Sequence, residues 1–192
     1  MKLNLTFLQQ FFLRPLSTGA IAPSSQSLAV QMVAWLNLEN AGAVVEYGPG
    51  TGVFTDVVVA RLSERCRFFM IEVNPLFVDL LRKRHPDKII YEDSVKNVRQ
   101  LCEREGIGEV DCIISGLPWA WFSDAMQTEY LDALMSVLKP SGQFVTFAYL
   151  HGLLMPTGQQ FRRRLQRYFS QVTRSQIVWM NLPPAFVYRC RR

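Results

Sequence analysis

An acid followed by a glycine-rich turn is the segment of this chain best suited to binding a small molecule. Residues 44–55 read V-V-E-Y-G-P-G-T-G-V-F-T, so an apolar run ends at Glu46 just before the turn. The glycines of the turn are Gly48, Gly50 and Gly52. Glycine has no Cβ, so main-chain N–H groups of such a turn can approach a ligand closely. An apolar strand, this turn and a helix start together predict a nucleotide-type cofactor site.

Two further acids follow at informative positions. Residues 67–75 read R-F-F-M-I-E-V-N-P and predict a second strand that ends at Glu72. An acid about twenty residues after a glycine turn can bind both hydroxyls of a ribose. A third short strand, residues 88–90, precedes Asp93. Asp93 is suited to contact an exocyclic amino group, such as that of adenine. In a shifted register Glu92 could take that role.

The elements that must position these groups alternate along the chain. Strands are predicted near residues 43–47, 67–71, 88–91, 110–115, 142–149, 173–180 and 185–190. Helices fill the gaps, and such alternation predicts an α/β fold with a mainly parallel sheet covered on both faces. Ser24 or Ser25 can cap a helix over 26–36, and Ser123 with Asp124 can start one that runs to Val137.

Composition narrows the class of protein. The chain has 192 residues, is 49% hydrophobic and only 19% charged, and carries a formal net charge of +5. No stretch approaches the roughly 18 to 20 apolar residues of a membrane-spanning helix. A basic balance favours an anionic partner, either nucleic acid or an anionic lipid surface. The four cysteines form no C-x-x-C pair, which disfavours zinc and disulfides and is typical of a reducing cytoplasm.

The N-terminal residues have a pattern of their own. Apolar side chains recur at helical spacing at Leu3, Phe7, Leu8, Phe11 and Phe12. This spacing predicts an amphipathic helix, which either packs over the sheet or the cofactor site or lies on a membrane with its phenylalanines inserted. The segment does not predict a signal peptide, because its apolar run is interrupted by two glutamines.

Taken in order, these motifs resemble the class I S-adenosylmethionine-dependent methyltransferases, whose first motif is written E/D-x-G-x-G-x-G. Residues 111–119 (D-C-I-I-S-G-L-P-W) are similar to the fourth strand and fourth motif of that class, and residues 138–147 (L-K-P-S-G-Q-F-V-T-F) to its turn before the fifth strand. The resemblance implies a Rossmann-like, seven-stranded and mostly parallel sheet. It also implies S-adenosylmethionine as methyl donor, S-adenosylhomocysteine as product and no metal.

The same resemblance assigns residues to the cofactor. Glu46 and the glycine turn would hold the amino acid portion, Glu72 the ribose, and Asp93 with Ser94 the adenine. The complete set is Glu46, Gly48, Gly50, Thr51, Gly52, Glu72, Val73, Asp93, Ser94, Ser115, Gly116 and Leu117.

Three segments indicate a narrower family. Residues 19–25 (G-A-I-A-P-S-S), 115–119 (S-G-L-P-W) and 181–189 (N-L-P-P-A-F-V-Y-R) resemble the bacterial phospholipid N-methyltransferases, which convert phosphatidylethanolamine stepwise to phosphatidylcholine. The resemblance covers nearly the whole chain. It implies one methyltransferase domain, with helices in residues 1–40 over the active site or the membrane and a catalytic core in residues 41–192. It further implies a cytoplasmic enzyme bound peripherally to the inner face of the cytoplasmic membrane.

Alternatives remain at this stage. The ribosomal RNA adenine dimethylases share the core but carry N-L-P-Y at the fourth motif, where the asparagine accepts a hydrogen bond from the adenine amino group. Here Gly116 stands in that place, and a flipped base would lose its orienting partner. This departure makes a nucleic acid unlikely as acceptor. Two other hypotheses remain. The protein could methylate a small amine, or it could bind a lipid or S-adenosylmethionine without catalysis.

Candidate catalytic residues follow the fifth predicted strand. A primary amine is mostly protonated at pH 7 and must be neutral to attack a methyl group. Tyr149 is a candidate to orient the amine by a hydrogen bond, and His151 to accept its proton; both lie at the sheet edge where α/β folds bind ligands. Trp119 can attract a methylated ammonium to its aromatic face or can simply be a buried packing residue.

Three more residues are candidates for substrate contacts. By their place in the family segments, Ser24 and Ser25 would lie beside the methionine carboxylate or the lipid phosphate, although both can serve merely as helix caps. Arg189, at the end of the N-L-P-P segment, is a candidate partner for the phosphate.

Overall fold

The computed structural model describes residues 25–192. The predicted amphipathic helix and Ser24 lie outside the described residues, so the predictions made for them stay predictions.

Strands and helices alternate through this part of the chain. The strands are β1 (Ala43–Tyr47), β2 (Arg67–Glu72), β3 (Ile89–Glu92), β4 (Val110–Ser115), β5 (Leu138–Tyr149), β6 (Gln171–Arg174) and β7 (Ala185–Arg191). The α-helices are α1 (Gln26–Val33), α2 (Val53–Val59), α3 (Pro75–Arg84), α4 (Val98–Arg104), α5 (Asp124–Val137) and α6 (Pro156–Tyr168). Short 3₁₀ helices span Leu38–Asn40, Val95–Asn97, Trp119–Trp121 and Leu150–Leu154. Every helix within residues 25–192 is too short or too polar to cross a bilayer.

The strands form one sheet in the order β3-β2-β1-β4-β5-β7-β6. Strands β1 to β5 are parallel, and β7 runs antiparallel to both of its neighbours. The predicted Rossmann-like sheet is therefore confirmed. The strand order reverses between β1 and β4, and such folds bind ligands at that point, beyond the carboxyl ends of the strands.

Two apolar clusters cover the two faces of the sheet. Strand β1 contributes to both, because Val45 faces the cluster packed under α4, α5 and α6, and Val44 faces the cluster packed under α1, α2 and α3. A parallel strand buried on both faces reads as a continuous apolar run, which explains why β1 is recognisable in the sequence.

Two predicted helix caps are confirmed, and one predicted strand is wrong in part. Ser25 caps α1 by accepting a hydrogen bond from the Leu28 N–H (3.2 Å), and Ser123 caps α5 by accepting one from the Met126 N–H (3.3 Å). The predicted strand 173–180 is wrong beyond Arg174. The Ser175 hydroxyl accepts the Val187 N–H (2.9 Å), and residues 175–184 form the connection to β7, with an isolated bridge to that strand between Val178 and Ala185.

Candidate functional site

The glycine turn after β1 is packed directly against the loop after β4. Gly48, Gly50 and Gly52 have φ values of 61°, 57° and 85°, in the left-handed region that favours glycine. A Cβ on Gly48 would lie 2.6 Å from Cδ2 of Leu117, and a Cβ on Gly116 would lie 2.4 Å from the carbonyl oxygen of Gly48. Position 116 therefore has to be glycine for the two loops to pack in this way. The same glycine stands where the ribosomal RNA adenine dimethylases carry an asparagine.

Glu72 ties the glycine turn to the end of β2. Its Oε2 accepts the N–H of Gly50 (3.1 Å), and its Oε1 accepts the N–H groups of Val73 (2.8 Å) and Asn74 (2.9 Å). Burial raises the pKa of this carboxyl, and the three main-chain donors oppose the rise. The acid predicted to bind ribose thus also holds the turn in place.

Glu46 is a fully buried carboxyl with one free oxygen. The Thr55 hydroxyl donates to Oε2 (2.9 Å), whereas Oε1 has no hydrogen-bond partner among residues 25–192. Burial raises the pKa of Glu46 to about 8. A buried oxygen without a partner is costly, so this one is suited to accept a hydrogen bond from a bound cation such as an amino group. Thr55 was not predicted, although its position in the first turn of α2 puts it within reach.

A small cavity beside the turn brings two of the predicted acids, Glu72 and Asp93, together. It is lined by ten residues: Gly48, Ile71, Glu72, Val73, Asp93, Ser94, Val95, Leu117, Phe122 and Tyr130. Asp93 Oδ1 accepts from the Ser94 N–H and from the Asn97 side chain, both at 2.7 Å, which orients the carboxylate. Glu92, the alternative in a shifted register, is exposed and does not line the cavity.

These features match the chemistry of S-adenosylmethionine. The unpartnered oxygen of Glu46 is suited to accept a hydrogen bond from an ammonium, and Glu72 and Asp93 border a cavity with apolar walls beside the glycine turn. Among residues 25–192, no group of three or more His, Cys, Asp or Glu side chains is placed to hold a metal ion.

Trp119 is enclosed by other aromatic rings. Its side chain is 2% exposed and stacks on Phe161, with ring centroids 4.9 Å apart. The edges of further rings surround it, and its indole Nε1–H donates to the Ser115 hydroxyl (3.0 Å). The packing interpretation therefore describes Trp119 better than a cation–π contact, because one face of the ring is already covered.

A second, apolar cavity lies beyond the carboxyl ends of β4 and β5. Its aromatic lining is formed by Trp119, Trp121, Phe147, Tyr149, His151, Phe161 and Tyr188. The rings of Tyr149 and His151 are nearly parallel, 8° apart, with centroids separated by 5.6 Å. Burial raises the pKa of Tyr149, so its hydroxyl stays protonated at neutral pH. Tyr188 was not predicted, because only the pairing of β7 with β5 brings it here.

Two predicted substrate contacts lie apart from this cavity. Ser25 caps α1, and its N–H donates to Asn181 Oδ1 (2.9 Å), which joins two of the family segments. Arg189 pairs with Val145 in the interior of the sheet and donates to the Gln31 side chain (3.0 Å) on the opposite face from Tyr188. The structure does not bring Arg189 to the apolar cavity, because Arg189 lies deeper in the sheet than the end of β5 and its side chain points toward α1.

Comparison with known proteins gives one strong match along the sequence. The ornithine lipid N-methyltransferase of Singulisphaera acidiphila is 34% identical to this chain over 190 residues, which cover 96% of this chain and 94% of that protein. No protein-family model matches the chain.

Solved methyltransferases share the fold at low identity. An S-adenosylmethionine-dependent O-methyltransferase of Thermotoga maritima has a TM-score of 0.67 at 16% identity, covering 94% of this chain and 70% of its own. The magnesium protoporphyrin IX methyltransferase of Synechocystis PCC 6803, solved with bound S-adenosylmethionine, also has 0.67, at 12% identity over 87% of this chain and 79% of its own. Their acceptors differ, so this likeness describes the scaffold and not the acceptor.

Proposed function

The chain belongs to the lipid N-methyltransferase family, and on that premise we propose that it transfers methyl groups from S-adenosylmethionine to the amine of a membrane lipid head group. The observation that carries this proposal is the 34% identity over 96% of the chain to a lipid N-methyltransferase. The glycine turn with its buried acids supports the choice of donor. The aromatic cavity at the end of β5 supports an amine acceptor of low polarity.

S-adenosylmethionine, when bound, supplies a methyl group activated by its sulfonium. The protein then has to bind, orient and exclude water, because the donor is already reactive. Glu46, Glu72 and Asp93 hold the donor through its amino group, ribose and adenine. The Tyr149 hydroxyl orients the amine, and His151 accepts the proton that the amine must lose before it attacks. Tyr149 itself is a poor base, since burial raises its pKa.

Phosphatidylethanolamine is the acceptor that we propose first, methylated stepwise toward phosphatidylcholine, because the family segments resemble the bacterial phospholipid enzymes. Ornithine lipid is a second candidate, favoured by the match to an ornithine lipid N-methyltransferase. Both offer a primary amine on a short carbon chain next to an anionic group.

One assay tests both acceptors. The purified protein is incubated with methyl-labelled S-adenosylmethionine and vesicles of phosphatidylcholine alone, with added phosphatidylethanolamine, or with added ornithine lipid, and the lipid products are separated. We expect label only where an amine lipid is present, and the separation also shows how many methyl groups are added. Absence of labelled lipid from all vesicles would contradict the proposal. Label transferred to a soluble amine or RNA without lipid would favour the alternative enzymes.

We also propose that the enzyme binds the membrane peripherally from the cytoplasmic side, through the apolar face of its N-terminal residues. Replacing Phe7, Phe11 and Phe12 by Ser should weaken binding to anionic vesicles in a sedimentation assay, because burial of aromatic side chains drives interfacial binding. The matched control replaces Asn4, Gln9 and Gln10 by Ser on the other faces of the predicted helix. Equal vesicle binding by the two triple variants would mean that this segment is not the anchor.

A further inference from the structure

The apolar cavity at the ends of β4 and β5, called the acceptor cavity below, has an open groove beside it. This groove lies on the side of the β6–β7 connection. Its walls include Leu150, Leu153, Arg174, Ile177, Trp179 and Phe186, and its volume is about 730 Å³. Leu153 also lines the acceptor cavity, so the groove and the cavity are neighbours at this side chain. Ligand sites in proteins typically have volumes of about 300–1,000 Å³. The groove is therefore large enough for the part of a lipid that follows its amine.

Arg174 supplies a cation to this groove. It is the last residue of β6, it is exposed, and its guanidinium carbon lies 5.7 Å from the centroid of the Phe186 ring. The ion pairs found within residues 25–192 involve other side chains, so no described acid neutralises it. A guanidinium held over an aromatic ring with its edge open is well placed to bind a phosphate or carboxylate.

A buried hydroxyl lies on the same side of the sheet. Tyr188 pairs with Arg174 across β6 and β7, its side chain is 2% exposed, and its hydroxyl has no hydrogen-bond partner among the described residues. Burial raises the pKa of this hydroxyl, and the charges of Arg174 and Arg162 act in the opposite direction. An unpartnered buried hydroxyl costs free energy, which a polar ligand atom can recover.

Strand register relates the groove to the acceptor cavity. Tyr188 lines that cavity and pairs with Arg174, so the two side chains lie on the same face of the sheet. Phe186, over which the guanidinium lies, is two residues before Tyr188 on β7 and is on the same face. The groove and the acceptor cavity therefore share this face of β7.

We propose that this groove binds the anionic group that accompanies the amine of the acceptor lipid, with Arg174 as its partner and Trp179 against the adjoining carbons. The identity of the ligand as an amine lipid rests on the proposed function. Trp179 is 65% exposed, so it can contact a lipid that enters from outside. The site selects amines that carry a phosphate or a carboxylate, and Arg174 positions them with the amine toward the acceptor cavity.

Direct binding tests the groove separately from turnover. Dihexanoyl phosphatidylethanolamine and ornithine lipid in detergent micelles are titrated into the full chain by calorimetry without any methyl donor. Arg174→Gln should raise the Kd by about tenfold or more, the usual order for loss of a charge-assisted contact. Arg163→Gln removes the same charge from an exposed position on α6 beside Asp124 and should leave the Kd unchanged. Arg174→Lys should recover part of the affinity, and hexylamine, which has no anionic group, should bind wild type and Arg174→Gln alike.

Each outcome distinguishes the two proposals. Equal Kd values for wild type and Arg174→Gln would overturn the proposal that the groove binds the anionic group, whether or not the enzyme methylates lipid. No binding of either lipid by wild type would overturn it as well. Arg174-dependent binding without any methylated product would support the groove and contradict the proposed reaction. Arg174-dependent binding of only one of the two lipids identifies the anion as phosphate or carboxylate.

Discussion

The two proposed binding regions, at different ends of the sheet, are built from different kinds of groups. Around β1 and β2, the proposed cofactor region is built from main-chain groups and buried acids, with Glu72 binding three N–H groups and Glu46 buried completely. Around β5 and β7, the proposed acceptor region is built from aromatic side chains and an exposed arginine. The first region has little freedom to vary, because its backbone segments touch each other. The second can change side chains without disturbing the backbone.

This difference explains how one scaffold serves different acceptors. The solved methyltransferases share the sheet with this chain at 17% identity or less. Variants in the cofactor region should therefore impair donor binding and folding together, whereas variants in the acceptor region should change catalysis and leave donor binding intact.

The largest effect is expected from Gly116→Ala. The new Cβ would lie 2.4 Å from the Gly48 carbonyl oxygen and would push the glycine turn away from β4. We expect the affinity for S-adenosylmethionine, measured by calorimetry, to fall by at least about 100-fold, the usual consequence of misplacing a preorganised site. Gly108→Ala is the matched control, because a Cβ there meets nothing within 4 Å. Normal donor binding by Gly116→Ala would show that the two loops separate easily.

His151→Gln should affect only the acceptor region. Loss of a positioned general base lowers kcat by about 100-fold at pH 7. The loss should shrink as the pH rises, because more of the amine is then neutral without help. The Kd for S-adenosylmethionine should not change. A pH profile parallel to that of wild type would exclude His151 as the proton acceptor, and Tyr149→Phe, which keeps the stacked ring, separates orientation from proton transfer.

Glu72→Gln tests whether the acid holds the turn. The amide group presents donors to the N–H groups of Gly50, Val73 or Asn74, which then lose an acceptor. The free energy of unfolding in urea should fall by about 1–3 kcal/mol, and donor affinity should fall with it. Glu103→Gln, an exposed position on α4, is the control. Lower affinity at unchanged stability would mean that Glu72 contacts the ribose without supporting the turn.

The smallest effect on stability is expected from Glu46→Gln, and it is measured through the pH dependence of unfolding. Burial raises the pKa of Glu46 from 4.5 to about 8 in the folded state, so the native protein retains a proton that the unfolded chain releases. The stability from this group is present below pH 4.5 and is lost as the pH rises toward about 8. Urea unfolding between pH 5 and pH 9 should show this decline in wild type and a flatter profile in the variant. Identical profiles would mean that Glu46 is ionised throughout.

Prediction from the sequence succeeded where local spacing determines geometry. The carboxyl ends of parallel strands meet at one edge, so Glu72 at the end of β2 and Asp93 just after β3 lie close enough to line one cavity. Helix caps at Ser25 and Ser123 depend on hydrogen bonds within a few residues and were equally recognisable. Arg189 illustrates the opposite case, because its face of β7 depends on register with strands far away in the chain.

The sequence by itself determined the fold class, the family and the glycine turn with its acids, because these depend on periodicity and short spacing. Tertiary structure decided which side chains line the apolar cavity at the ends of β4 and β5. The antiparallel pairing of β7 with β5 and β6 placed Tyr188 and Arg174 on one face and turned Arg189 to the other. It also enclosed Trp119 among aromatic rings and pressed Gly116 against Gly48. Such contacts join residues far apart in the chain, and no local pattern encodes them.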